Sequence, residues 1–220
     1  VTIEITAVIP TRAGSERIID KNTKNFCDSS LLQIKINQMK ALKELEIIDD
    51  IIVNTNCKKS IKIAKNNKIK TLIRDEYFAR SECLTRDYWA NVGTNIETNT
   101  MLLSQVTSPM TSIDTYRDAI NSYEGQSVMS ATKVKDFLWM GKSPLNYKME
   151  NQPRSQDLPD DVFKLNFAIA IIGKKELLEY GNLVTPETKF IYLSEIEGFD
   201  IDTELDFKIA EILYSEQLIN

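Results

Sequence analysis

Apolar and polar positions alternate along this chain between two periods. Residues 4–10, EITAVIP, form a short β-rich apolar run closed by a proline, which predicts a buried strand. A polar stretch over residues 11–30 follows. Then LLQIKINQMKALKELEII sets Leu32, Ile36, Met39, Leu42 and Leu45 at helical spacing behind the cap candidates Ser29 and Ser30. The alternation continues with strand DIIVNT, helix SIKIAKNN, strand KTLIR, a helix around residues 88–96 and strand TMLLSQVT. Helix TYRDAINSYE and strand QSVMSATKV come next. After an irregular stretch the pattern resumes with LNFAIAII, helix KKELLEY, strand KFIYL and an amphipathic helix over residues 203–217. Strands joined by crossover helices predict an α/β fold, a Rossmann-like, mostly parallel sheet with helices on both faces.

No repeat or low-complexity linker divides the chain, so residues 1–220 are expected to form one domain. Residues 134–163 break the pattern with Lys, Asn, Pro, Asp, Gln and scattered aromatics, and an irregular stretch of that length is more often functional than idle. Ligands of open α/β sheets bind at the carboxyl ends of the strands. The segments after Pro10, Thr55, Arg74, Gln105, Val134 and Ile172 are therefore the ones expected to carry a site.

Composition narrows the chemistry. The 27 basic and 32 acidic side chains give a formal charge of −5, which argues against nonspecific nucleic-acid binding. With no histidine, Ser-His-Asp and Cys-His systems, imidazole acid/base catalysis and His-ligated zinc are excluded. The three cysteines form no CxxC pair and read as reduced thiols. No apolar run approaches the roughly 18 residues of a membrane span, and no signal-peptide pattern opens the sequence, so no membrane association and a cytoplasmic address are expected. The remaining instruments are carboxylates, Lys and Arg, hydroxyls, backbone amides and a hard cation.

The first loop, TRAGSERIIDKN, places Gly14 for a tight turn among Arg12, Arg17 and Lys21, with Ser15 and Asn22 as neutral donors. It has the makeup of an anion cradle for a polyphosphate, and equally that of a solvated basic loop. Neither GxxxxGK[ST] nor GxGxxG occurs. Near the other end, FDIDTELDF sets Asp200 and Asp202 on one face if the backbone is extended, an arrangement a hard divalent cation such as Mg2+ relieves; short acidic runs are also common on surfaces. Glu204 and Asp206 fall in the first turn of the next helix, where they complement its dipole. Gln105 in QVTSPMTS suits recognition of hydroxyls or amides, Arg154 in ENQPRSQDLP can fork onto a carboxylate, and Arg74 ends a strand at the ligand edge. Each of these three also reads as an ordinary turn or surface residue.

Together these segments, from AVIPTRAGSERIIDKN through DIIVNT, LIR, QVTSPM and QPRSQDLP to DIDTELDFKIAE, resemble the acylneuraminate cytidylyltransferase family, the CMP-sialic acid synthetases and their relatives for other keto-acid sugars. The resemblance implies a nucleotidyltransferase of cell-surface polysaccharide biosynthesis that joins CTP to a keto-acid sugar and releases pyrophosphate, with Mg2+ as cofactor. It implies a nucleotide site of Arg12, Ala13, Gly14, Ser15, Lys21, Asn22, Arg74 and Thr85, and an acceptor site of Gln105, Arg154, Lys164 and Asn166. It implies Mg2+ on Asp200 and Asp202, catalysis by these aspartates with Arg12 and Lys21, and a homodimer whose arm is residues 134–163 and whose Arg154 reaches the neighbouring site. The sequence departs from the family pattern at Val106, Thr111, Asn151, Lys164 and Phe167, the last standing where relatives have a glycine. Two rivals remain: a DxD-type glycosyltransferase using a nucleotide-sugar, and a catalytically silent nucleotide-binding relative.

Overall fold

The computed structural model describes residues 4–216. A seven-stranded sheet forms its centre: β1 (Ile5–Pro10), β2 (Asp50–Thr55), β3 (Lys70–Ile73), β4 (Thr100–Ser104), β5 (Val128–Lys133), β8 (Phe163–Gly173) and β9 (Lys189–Tyr192), in the order β3-β2-β1-β4-β8-β5-β9. The two remaining strands, β6 (Trp139–Met140) and β7 (Ser143–Pro144), pair as a small hairpin inside the irregular stretch. Every neighbouring pair in the main sheet is parallel except those made by β8, which runs antiparallel to both β4 and β5.

That reversal corrects one expectation. Because Gly173 pairs with Thr100 at the start of β4, the segment after Ile172 lies at the edge opposite the ligand end. It is the beginning of β8 that stands at the ligand edge. The antiparallel strand was invisible to periodicity, since a strand buried on both faces reads as a continuous apolar run in either direction.

Alternate residues of the central strands feed two cores. Ile5, Ala7 and Ile9 of β1 and Leu102 of β4 face one layer built on α1 (Leu31–Glu44), α5 (Ile113–Asn121) and α7 (Glu204–Ser215). Val8, Met101 and Leu103 face the other, built on α4 (Thr85–Asn95) and α6 (Lys174–Tyr180). Helix α2 (Lys58–Asn66) packs Ala64 into the first of these layers, and α3 (Glu76–Ala79) is a single turn after β3. Ser30 caps α1 by accepting from the Gln33 amide at 3.2 Å. At α7 Thr203 and Asp206 form a reciprocal capping box. The pattern carried α7 on to Gln217, which lies outside the described residues.

The polar first loop is tied down by two apolar side chains. Ile18 and Phe26 are fully buried, and Phe26 meets Phe207 of α7 edge-on at 5.2 Å and Tyr214 at 5.5 Å. Burying each such side chain stabilises by about 1.5–3 kcal/mol, enough to fix the loop against α7. Hydrophobic packing thus brings the beginning and end of the chain together.

Candidate functional site

A cleft of about 490 Å³ opens at the carboxyl ends of β1, β3 and β4. Arg12, Ser15, Arg17, Lys21 and Asn22 line one side, Arg74, Tyr88 and Trp89 its floor, and Gln105, Val106, Thr107 and Asp202 the other. The cationic loop and the acidic segment therefore share one site.

The joint between them is direct. Arg17 Nη2 lies 2.9 Å from Asp202 Oδ1, and Lys21 Nζ donates to the Ile201 carbonyl at 2.6 Å while standing 3.7 Å from Asp202. The Ile201 amide in turn donates to the Thr107 carbonyl at 2.9 Å, which locks the aspartate segment to the Gln105 loop. Burial pushes the Lys21 ammonium pKa down against the upward pull of Asp202 and Asp200. Burial likewise raises the carboxyl of Asp200, a Thr107 hydrogen bond opposes that shift, and the charge of Asp202 adds to it. Asp202 lines the cleft and Asp200 stands two positions before it, and two carboxylates so spaced are a donor pair that a hard cation could complete. Among the described residues no cluster of three or more metal-ligating side chains occurs, so further ligands would come from substrate or water.

The loop is held in a defined shape. Gly14 takes φ +77°, a conformation that favours glycine, and Asp20 turns left-handed at +54°. The Ala13 amide is held by the Asn56 side chain at 2.8 Å, and Lys59 clamps Asp20 at 2.6 Å. Ala13 and Gly14 border a small recess beside the main cleft, together with Ser15, Lys21 and Asn22. Arg12 stays exposed, its guanidinium 3.3 Å from the Ala79 carbonyl.

Arg74 is the most firmly held cation. It donates from Nε to Asn54 Oδ1 at 2.9 Å and from Nη2 to the Tyr88 hydroxyl at 2.7 Å, and its guanidinium lies 4.5 Å from the Tyr88 ring centre. Tyr88 donates back to Asn54 Oδ1 at 2.9 Å, and burial lifts its phenol to about 12, so it stays neutral. Sequence reasoning did not assign Asn54, Tyr88, Trp89 or Thr107 to the site. Asn54 did leave a signal: a polar residue near the end of an apolar strand at the ligand edge.

Other expected site residues lie elsewhere. Thr85 begins α4, is exposed and does not line the cleft. Arg154 is 74% exposed and forks onto Asp157, three residues on, at 2.7 and 3.2 Å. Lys164 is exposed on β8. Asn166 is buried, its amide oxygen accepting from Ser130 and its nitrogen donating to Thr132 at 2.9 Å. Thr111, another departure, is buried and donates to the Glu197 carbonyl at 2.9 Å.

The chain is matched by known proteins. The family described as cytidylyltransferase matches residues 6–152. The chain belongs to that family. CMP-N,N'-diacetyllegionaminic acid synthase of Legionella pneumophila is 27% identical, with 96% of each chain covered. The N-acylneuraminate cytidylyltransferase of Escherichia coli is 24% identical over 94% of this chain but only 51% of its own length. Among solved structures, CMP:2-keto-3-deoxy-manno-octonic acid synthetase complexed with CTP superposes with a TM-score of 0.70 at 13% identity, covering 97% of this chain and 99% of that one. This last likeness speaks for the fold of the cytidylyltransferase. Among its described residues no helix is long and apolar enough to cross a membrane.

Proposed function

We propose that this cytidylyltransferase activates a keto-acid sugar of the sialic and legionaminic type, joining it to CTP to give a CMP-sugar and pyrophosphate. The carrying observation is the single cleft in which the cationic loop after β1 meets Asp202 before α7, residues 185 positions apart in the chain. The names of the Legionella and Escherichia coli relatives, a CMP-sugar synthase and a cytidylyltransferase, support the substrate class.

In this reading a sugar hydroxyl attacks the α-phosphorus of CTP in line, a P–O bond forms to the sugar, the bond to the β-phosphate breaks and the hydroxyl proton passes to solvent. Arg12, Arg17 and Lys21 hold the β- and γ-phosphates and neutralise the charge that grows on the departing pyrophosphate. Arg74, fixed by Asn54 and Tyr88, presents its remaining donors to the nucleotide. Asp200 and Asp202 would hold Mg2+, which would supply Lewis-acid chemistry there. Such a reaction rests on positioning and charge neutralisation and so runs without histidine. Gln105 and the Thr107 segment orient the acceptor.

The exposed Phe137, Trp139, Met140, Leu145 and Met149 gather in the stretch around the β6-β7 hairpin. An apolar patch of this kind favours burial against a second copy, so the working unit is a homodimer in which Arg154 exchanges Asp157 for an acceptor carboxylate in the neighbouring subunit's cleft. Family membership sets the glycosyltransferase alternative aside. The silent relative is decided by assay: the protein is incubated with CTP, Mg2+ and N-acetylneuraminic, N,N'-diacetyllegionaminic or 2-keto-3-deoxy-manno-octonic acid. Pyrophosphate release with at least one acceptor is expected, and CTP binding with no turnover on any would overturn the proposal.

A further inference from the structure

We infer that Phe167 is a specificity-determining residue, an aromatic platform for the apolar C–H face of the acceptor sugar; this rests on the function proposed above. Its backbone is the first observation. Phe167 takes φ +55°, a left-handed conformation that penalises a bulky side chain, in the middle of a strand. The second is the bulge that creates it. Met129 of β5 pairs with Ala170 and Ala131 with Leu165, so residues 166–169 of β8 stand opposite Ser130 alone.

Buried side chains satisfy the groups this bulge frees. The Ile169 amide donates to Ser130 Oγ at 2.9 Å and the Ala168 amide to Asn166 Oδ1 at 3.1 Å, while Asn166 also bonds Ser130 and Thr132. A strained bulge stabilised on every side re-aims a side chain, as bulges beside active sites do. Here it leaves the Phe167 ring 41% exposed between two buried neighbours, Asn166 and Ala168.

Position supplies the ligand. β4 ends at Ser104, opposite Ile169, so Phe167 lies just past the point where β4 gives way to Gln105 and its loop. On the other side the bulge touches the aspartate segment: a Cβ on Gly198 would come within 2.5 Å of Asn166 Nδ2 and 2.6 Å of Thr132 Oγ1. Phe167 therefore stands on the ligand edge of β8, one strand from the glutamine loop and next to the residue that packs on Gly198 ahead of Asp200, outside the lining of the 490 Å³ cleft itself. A flat apolar ring there matches the C–H face of a pyranose, whose hydroxyls remain for polar partners.

The test uses steady-state kinetics on the full chain with the acceptors named above. Phe167→Asn removes the ring yet adopts the left-handed backbone readily. It is expected to raise the acceptor KM about tenfold with CTP KM within about twofold of the parent, and Phe167→Tyr to keep both near the parent values. An unchanged acceptor KM in Phe167→Asn would overturn the inference, as would an equal rise in both KM values or an equal loss in Phe167→Tyr, either of which marks a structural role. If the unaltered protein turns over no acceptor and binds none, the proposed function falls and this inference with it; parental turnover with an unmoved acceptor KM sinks the inference alone.

Discussion

Two arginines expected to touch substrate could hardly be placed more differently. Arg74 is buried at the floor of the cleft, held by Asn54, Tyr88 and a ring face. Arg154 stands 74% exposed, paired with a near neighbour in sequence. In the proposed reaction the half of the site that would receive the nucleotide is built in advance within one chain. The half that would receive the sugar offers Gln105 and the bulged strand, and leaves Arg154 facing solvent. On that proposal, binding to the first half costs little reorganisation, and the second needs a partner to complete it.

The largest test of this contrast is at the joint between the two halves. Asp202→Asn is expected to lower turnover by about 100- to 1000-fold in pyrophosphate release while leaving thermal unfolding close to the parent's, because Asp202 is half exposed and its ion pair with Arg17 adds little stability. Turnover near the parental level would remove the aspartate from the reaction.

Mixing subunits sharpens the comparison further. Arg154→Ala and Asp202→Asn are each expected to be poorly active alone. If Arg154 serves the neighbouring cleft, co-expression yields hybrids in which one site regains both groups, recovering up to about a quarter of parental activity per total site under random pairing. No recovery on mixing would assign Arg154 to its own subunit or to no site.

A smaller effect is expected on the built side. Tyr88→Phe deletes a hydroxyl that bonds both Arg74 and Asn54 and should raise CTP KM by about fivefold to tenfold, corresponding to about 1–1.4 kcal/mol, with acceptor KM unmoved. Equal changes in both constants would show that the two halves are not energetically separate.

A separate test, of stability and not of activity, concerns the base of the Gln105 loop. Lys35 of α1 is fully buried, donating to the Ser108 carbonyl at 2.8 Å and the Tyr116 hydroxyl at 3.0 Å, and burial lowers its pKa from 10.5 to about 7. Between those values the unfolded chain holds a proton that the folded chain has shed, so this group makes stability rise with pH from about 7 towards 10.5. Urea unfolding of the parent should gain up to about 1.4 kcal/mol per pH unit relative to Lys35→Met across that window. Parallel pH dependences would place the Lys35 titration outside it.

Much of the fold was legible because its strands are apolar runs bounded by turn residues and its helices carry a clear 3.6-residue period. The direction of β8 was not, since strand polarity leaves no periodic trace. For the site, the residues after β1 announced themselves through Gly14 and its cationic neighbours, and Asp200 and Asp202 through their spacing. Tyr88 and Trp89 did not, because an aromatic on a helix reads as core whichever side it faces. Phe167 was visible as a departure from a glycine, but its left-handed backbone and the bulge behind it arise only from pairing with β5, which no local pattern encodes.

The place of β8 also sets the order in which the polypeptide can assemble as it leaves the ribosome. By the time β4 has emerged, β3, β2, β1 and β4 can already stand side by side, each strand after β1 next to one made earlier. β5 is translated next but borders only β8 and β9, both still to come, so it must wait without a partner while the arm is synthesised. Nascent chains arrested before residue 163 should therefore protect the backbone amides of β1 and β2 from hydrogen exchange while leaving those of β5 open, and the second half of the sheet should close in one step once β8 slots between its two neighbours.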